Sequence, residues 1–141
     1  EANKACTDRQ NSQIWIATVN NPKNKSITFY AFDNCIEIYK KETNDKESIC
    51  DGALTFDESI YLVELKNWGS GGWEKKAIDQ LSNTIRLLNA TSHIKKFKYK
   101  RAYVCNKKHP RFRIITHEKS KRFFKETMGF RLDIQGTINI G

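Results

Sequence analysis

Residues 49–66 carry the pattern that most constrains how this chain can fold. Two runs of strand-forming residues, 49–56 and 60–66, flank a short polar break at residues 57–59. This arrangement is typical of a β-hairpin. The second run is otherwise apolar, yet it contains Glu64 and Lys66, whose charged groups are costly to bury without a partner. We therefore expect a buried strand that ends in a pair of charged side chains.

The hairpin also predicts which residues meet at the charged end. Side chains alternate across a strand, so Glu64 and Lys66 lie on the same face. A hairpin loop of even length pairs position 51 with position 64, which brings Asp51 opposite Glu64. Two adjacent carboxylates repel each other unless a cation lies between them. Hard oxygen ligands suit Mg²⁺ or Mn²⁺ better than Zn²⁺. The alternative is a plain Glu64–Lys66 salt bridge, with Asp51 as a turn residue.

The spacing of these residues resembles the active-site signature of the PD-(D/E)XK nuclease superfamily, which includes restriction endonucleases and Holliday-junction resolvases. Asp51 is followed thirteen positions later by the Glu-Leu-Lys triplet of residues 64–66, in a strand–turn–strand context. Cys50 stands where that family has its leading proline. Gln80 lies where family members often carry a glutamine on the next helix. The resemblance extends over about residues 26–105.

The resemblance implies a metal-dependent phosphodiesterase. Asp51 and Glu64, with the carbonyl of Leu65, would hold one or two Mg²⁺ or Mn²⁺ ions. Lys66 would orient or help to deprotonate the attacking water and would add positive charge at the phosphate. Gln80, at the border of its helix stripe, is placed to contact that water or the phosphate, although a border glutamine without a role is the alternative.

Hydrophobic periodicity predicts the remaining elements and hence the fold class. We expect a single α/β domain over residues 1–141, with a mixed central sheet of about five strands flanked by helices, a restriction-endonuclease-like core by resemblance. Asp33 and Glu37 follow one predicted strand and are candidates for an additional acid of the site or, alternatively, for polar strand caps. Besides the hairpin, the predicted elements are strands at 14–19, 26–32, 99–105 and 130–140 and helices at 73–88 and 117–127, with part of an N-terminal helix as the alternative for 14–19.

Positive charge is concentrated in the last third of the chain. Residues 1–94 contain 11 Lys and Arg against 13 Asp and Glu, a net charge of −2, whereas residues 95–141 contain 14 against 3, a net charge of +11. Such a surface suits binding to the phosphates of nucleic acid, and solubility is the alternative explanation. Phe112, within the basic loop, is suited to base stacking. The candidate nucleic-acid contacts are Lys95, Lys98, Arg101, Lys107, Lys108, His109, Arg111 and Arg113.

The cysteines and the apolar content bear on localisation. The four cysteines form no CxxC pair, so their spacing does not predict a zinc site. Cys35, Cys50 and Cys105 adjoin apolar, strand-like residues, which favours buried free thiols in a reducing cytoplasm over two disulfides in an exported protein. The sequence has no apolar run long enough for a membrane span and no secretory signal pattern. We therefore expect a cytoplasmic protein without a membrane partner.

These features favour a metal-dependent nuclease, with DNA preferred to RNA as substrate and endonuclease preferred to exonuclease action. A domain of this size has little room for a target-reading module, so we expect a protein partner or an adjacent domain to supply targeting or inhibition. Two alternatives stay open. One is a nuclease toxin that uses the same site on tRNA. The other is a non-catalytic nucleic-acid-binding module in which the acidic residues are structural. Metal binding through Asp51 and Glu64 distinguishes an enzyme from the binding module.

Overall fold

The computed structural model describes residues 4–141. Short 3-10 turns occur at Ser12–Ile14 and His93–Lys96. The helices are α1 (Trp73–Asn89) and α2 (His117–Glu126). The strands are β1 (Thr18–Asn20), β2 (Thr28–Ala31), β3 (Gly52–Phe56), β4 (Ser59–Lys66), β5 (Tyr99–Asn106), β6 (Arg131–Ile134) and β7 (Thr137–Asn139).

A mixed five-stranded sheet in the order β2-β3-β4-β5-β6 forms the centre of the fold. Strands β2, β3 and β4 are antiparallel neighbours, whereas β4, β5 and β6 run parallel. Strand β4 is central and has a neighbour on both sides, which explains why its sequence is almost continuously apolar. The sheet and its helices confirm the predicted α/β fold class.

The β3–β4 hairpin has the register expected from an even-length loop. Gly52 pairs with Val63, and Phe56 pairs with Ser59. Extending this register by one position brings Asp51 opposite Glu64. The predicted register is therefore confirmed, and Asp51 N contacts Glu64 Oε1 at 3.2 Å just beyond the last pair of the ladder.

The two faces of the sheet are covered differently. Helix α1 packs its buried residues against one face, together with Phe123 of α2. The opposite face packs against Ile138 and Ile140, at the end of the chain, where β7 pairs with β1 in a separate parallel ribbon. The even-numbered residues of β4, which include Ile60 and Leu62, face α1. Glu64 and Lys66 continue this row, so the charged end of β4 lies on the helix-covered face.

Three predictions about elements and burial require correction. The strand expected at 14–19 is only β1, because Ile14 belongs to the preceding 3-10 turn. The strand expected at 130–140 is divided between β6 and β7 at Gly136, whose N–H donates to Pro110 O at 2.8 Å. A Cβ at Gly136 would lie 3.0 Å from Pro110, so glycine permits the close approach at which the chain leaves one sheet for the other. All four cysteines are free thiols, but Cys35 is exposed, unlike Cys50 and Cys105.

Candidate functional site

Glu64 is the most deeply buried charged group at the end of β4. Its residue exposure is 2%. Its Oε2 lies 2.9 Å from Lys66 Nζ, and its Oε1 accepts a hydrogen bond from Asp51 N at 3.2 Å. Burial, followed by the negative charge of Asp51, raises the pKa of Glu64 to about 8, although Lys66 opposes the shift. Ionisation of this carboxyl group is therefore costly, and positive charge placed beside it lowers that cost.

Asp51 directs a second carboxylate toward the same end of β4. It is half-buried, and its Oδ2 accepts a hydrogen bond from Leu65 N at 2.7 Å. Burial raises the pKa of Asp51, while the bond from Leu65 acts in the opposite direction. The N–H and C=O groups of a residue point to the same side of a strand, so the Leu65 carbonyl also faces the Asp51 side. Two carboxylates and one carbonyl thus converge there.

Lys66 links this acidic pair to helix α1. Its Nζ lies 2.9 Å from Glu64 Oε2 and donates to Gln80 Oε1 at 2.6 Å. The lysine side chain is only 11% exposed, so the contacts are made in a partly desolvated environment. The four predicted catalytic residues, Asp51, Glu64, Lys66 and Gln80, therefore form one continuous hydrogen-bonded chain.

Helix α1 also fixes the segment that leads into Asp51. Buried Thr84 accepts a hydrogen bond from Cys50 N at 2.7 Å through its Oγ1, and its hydroxyl donates to Gln80 O at 2.8 Å. Asn83 Nδ2 donates to Ser48 O at 2.7 Å. The sequence-based reasoning missed Thr84, although a threonine within the apolar stripe of α1 is a signal, since a buried hydroxyl requires a partner.

The two candidate auxiliary acids occupy different environments. The negative charge of Asp33 is one of the influences that raise the Asp51 pKa, so this carboxylate lies within electrostatic range of the site. The neighbouring Phe32 N donates to Asp51 O at 2.8 Å, which ties the end of β2 to Asp51. Glu37 is exposed and accepts a hydrogen bond from Tyr39 Oη at 2.8 Å. Of the two, only Asp33 is brought toward the acidic pair.

The donor set at the end of β4 is compatible with a hard divalent cation. Within residues 4–141, no group of three or more His, Cys, Asp or Glu side chains is arranged to hold a metal ion. Magnesium commonly uses one or two carboxylates and completes its shell with water, so Asp51, Glu64 and the Leu65 carbonyl fit its preferences. Burial is the main cause of both raised carboxyl pKa values; negative charge adds to it, from Asp51 at Glu64 and from Asp33 at Asp51, and a bound cation would offset that charge. The donors do not fit zinc, which prefers nitrogen and sulfur ligands.

The basic loop that follows β5 begins beside the site. Lys107 N donates to Lys66 O at 2.9 Å. An open cavity of about 270 Å³ is lined by Lys108, His109, Pro110, Arg111 and Arg113. Five of the eight residues that we predict to contact nucleic acid therefore belong to this basic loop, which begins beside the site.

Contacts with the start of α1 hold this basic loop in place. The His109 ring stacks on Trp73 with centroids 5.4 Å apart, and Arg113 lies over the same indole at 5.5 Å. Arg113 Nε also pairs with Glu74 Oε1 at 2.6 Å. The loop is therefore attached to the helix that supplies Gln80.

The other three predicted nucleic-acid contacts lie away from Glu64: Lys95 and Lys98 are at the opposite end of the sheet, and Arg101 is within β5, opposite Tyr61. Lys95 and Lys98 precede β5, whose first residue pairs with Ser59, whereas its last pairs with Lys66. At about 3.3 Å per residue, the two ends are roughly 20 Å apart. Arg101 pairs with Asp133 at 3.0 Å on the face that α1 does not cover. These three residues are not brought together with Glu64.

Comparison with known proteins adds no functional assignment. No protein-family model matches the chain, and neither curated proteins nor solved structures give a match. No helix within the described residues is both long enough and apolar enough to cross a membrane. The functional interpretation therefore rests on the residues and geometry of the chain itself.

Proposed function

We propose that this chain is a metal-dependent nuclease that hydrolyses phosphodiester bonds of nucleic acid, with DNA preferred to RNA. The observation that supports it most is the convergence of Asp51, Glu64, Lys66 and Gln80 in one hydrogen-bonded chain. A structural Glu64–Lys66 salt bridge accounts for two of these groups only. It leaves unexplained why a second carboxylate lies beside Glu64 and adds to the rise in pKa that burial already causes, an arrangement that costs free energy of folding.

In this proposal the two carboxylates and the Leu65 carbonyl would hold Mg²⁺ or Mn²⁺. The cation, when bound, stabilises the charge that develops on the phosphate and favours ionisation of the attacking water. The ammonium of Lys66 supplies hydrogen-bond donors and positive charge next to the carboxylates. Gln80 Oε1 accepts a hydrogen bond from this ammonium and so holds it at the end of β4. Desolvation of Lys66 strengthens each of these electrostatic contacts.

A non-catalytic nucleic-acid-binding module is the second candidate. It is favoured by the direct Glu64–Lys66 ion pair and by the lack, among residues 4–141, of a third acidic or histidine ligand in the cluster. In that case the basic loop alone would carry the function. A nuclease toxin acting on tRNA would use the same catalytic site as the first proposal. A protein partner or adjacent domain that supplies targeting or inhibition also remains part of the proposal.

Cleavage assays test the proposal directly. Purified protein is incubated with plasmid, single-stranded DNA and total RNA, each with Mg²⁺, Mn²⁺ or EDTA. We expect metal-dependent cleavage that Glu64→Gln reduces by at least about 100-fold, because an amide is a poor ligand for a hard cation. Glu58→Gln is the matched control, since Glu58 is an exposed acid on the loop of the same hairpin.

Wild-type cleavage by a folded Glu64→Gln preparation would contradict the assignment of the site. Binding of nucleic acid without cleavage of any of the three substrates, under any metal condition, would favour the binding module. RNA cleavage confined to tRNA would favour the toxin.

A further inference from the structure

An exposed indole borders the candidate site. Trp68 lies two residues beyond the end of β4 and is 43% exposed. The Nζ atoms of Lys66 and Lys76 lie 5.6 Å and 5.0 Å from the centroid of its ring. An aromatic face with adjacent cations is the combination that proteins use to bind single-stranded nucleic acid, since bases stack on the ring and phosphates pair with the cations.

The backbone of Trp68 is fixed to the basic loop by one buried side chain. Asn106 is 1% exposed; its Nδ2 donates to Trp68 O at 2.9 Å, and its Oδ1 accepts from Lys108 N at 3.0 Å. A Cβ at Gly69 would lie 3.7 Å from the Lys108 side chain, so this lysine runs alongside the loop that carries Trp68. Because the backbone at Trp68 is anchored, that part of the chain loses little conformational entropy when a ligand binds to the ring.

The exposed ring distinguishes between paired and unpaired nucleic acid. In a duplex both faces of each base are covered by neighbouring bases, so a protein ring can stack only on a base that is unpaired or has been turned out of the helix. Lysine side chains alone would bind the phosphates of either form. The indole therefore adds affinity for an unpaired base only.

We propose that Trp68 stacks on an unpaired base next to the scissile phosphate, and that Lys76 and Lys108 contact the adjoining phosphates. The substrate is then a nucleic acid that is single-stranded, or locally unpaired, where it is cut. This inference rests on the proposed nuclease function for the position of the scissile phosphate. The stacking contact itself requires neither metal nor cleavage.

Binding in EDTA tests the stacking contact separately from catalysis. Fluorescence anisotropy is measured with a labelled oligonucleotide of about 12 residues as single-stranded DNA, single-stranded RNA and duplex DNA. Trp68→Leu, which keeps apolar bulk but lacks a ring, should weaken binding of at least one single strand by about 5- to 100-fold, whereas Trp68→Phe should retain most of it. Duplex binding should change by less than about twofold, since phosphate contacts are preserved.

Tyr99→Leu provides the matched control. Tyr99 is also an exposed aromatic residue, 55% accessible, with Lys98 Nζ 5.5 Å from its ring, but it lies at the far end of β5. Its replacement should leave all three affinities unchanged. The comparison of DNA with RNA shows which single strand the ring prefers.

The outcomes separate the stacking proposal from the nuclease proposal. Single-strand affinity that is unchanged in Trp68→Leu, or lowered equally for duplex, overturns the stacking proposal, whatever Glu64→Gln does to cleavage. The expected loss of single-strand affinity supports stacking even if no substrate is cleaved, in which case the nuclease proposal alone fails. A parallel melting curve shows that each variant is folded; if Trp68→Leu is not, Trp68→Gln, which also lacks a ring, takes its place with the same expected loss.

Discussion

Glu64 is the residue at which folding and the proposed chemistry oppose each other most directly. Its carboxyl group is almost fully buried and lies beside a second carboxylate, Asp51. Lys66 offsets part of the cost through the ion pair at 2.9 Å. Burying an ionised group remains unfavourable even when it is paired, so stability alone does not account for a carboxylate at this position. The proposed role of Glu64 gives a reason for the charge.

The raised pKa of Glu64 predicts how the stability of the metal-free protein depends on pH. Its pKa of about 8 lies above the ordinary value of 4.5, so the folded state holds the proton more tightly than the unfolded chain does. This stabilisation is fully present below about pH 4.5 and is lost as the pH rises toward 8. Glu64→Gln cannot ionise, so at about pH 9 in EDTA it should be more stable than the wild type by about 1 kcal/mol or more.

Urea unfolding in EDTA at several pH values measures this difference. The advantage of Glu64→Gln should shrink as the pH falls toward 5, where the wild-type carboxyl group is protonated. Glu58→Gln serves as the control, because Glu58 is exposed on the hairpin loop. A difference between Glu64→Gln and the wild type that does not vary with pH would contradict the prediction.

At the scale of elements, the site depends on how α1 packs against the β3–β4 hairpin. Strand β4 supplies Glu64 and Lys66, while α1 supplies Gln80 and Thr84 from one side of its buried stripe. Thr84 contacts the backbone at Cys50, directly before Asp51, as well as the backbone of Gln80. It touches no proposed substrate atom, so we consider it a positioning residue. A shift of α1 would move Asp51 and Gln80 together.

Thr84→Val tests this coupling. Valine has nearly the same shape but no hydroxyl, so Cys50 N loses its buried acceptor, and we expect a loss of about 1 to 3 kcal/mol in the free energy of unfolding. Displacement of Asp51 and Gln80 should also lower single-turnover cleavage by about tenfold or more in the folded variant. Thr84→Ser keeps the hydroxyl and should recover most of the rate. If Thr84 has only a structural role, folded Thr84→Val should lose stability but cleave at the wild-type rate.

At the scale of the molecule, the basic residues divide between the two ends of the parallel strands. Lys107, Lys108 and Arg111 lie at the end that carries Glu64, because β4 and β5 are parallel and in register. The cations before β5 lie roughly 20 Å away. Only the first group lies where a phosphate backbone bound at Glu64 would pass. We therefore expect the first group to dominate binding.

Matched charge reversals test this asymmetry. Lys108→Glu with Arg111→Glu should weaken nucleic-acid binding and lower the slope of log affinity against log salt concentration by about two units. Lys95→Glu with Lys98→Glu changes the net charge equally, and all four side chains belong to exposed residues. This second pair should leave the slope nearly unchanged. Equal salt slopes for the two double variants would mean that the substrate also contacts the end of the sheet that carries Lys95 and Lys98.

Local patterns in the sequence were sufficient for the hairpin, its register and helix α1. Alternation and loop length depend only on residues that are near neighbours in the chain, so the approach of Asp51 to Glu64 follows from the hairpin itself. The apolar stripe of α1 has the same local origin. The break of the last strand at Gly136 was not predictable, because it depends on contact with distant Pro110.

The sequence by itself determined that Asp51 lies beside Glu64 and that positive charge is concentrated in residues 95–141. The tertiary structure decided which other groups lie beside these two acids. Parallel pairing of β4 with β5, connected through α1, brings Lys66, Gln80 and the basic loop to one edge of the sheet. The same pairing leaves Arg101 with Asp133 on the other face. These placements depend on contacts between residues far apart in sequence, which no local period encodes. The buried bonds of Thr84 and Asn106 have the same long-range origin.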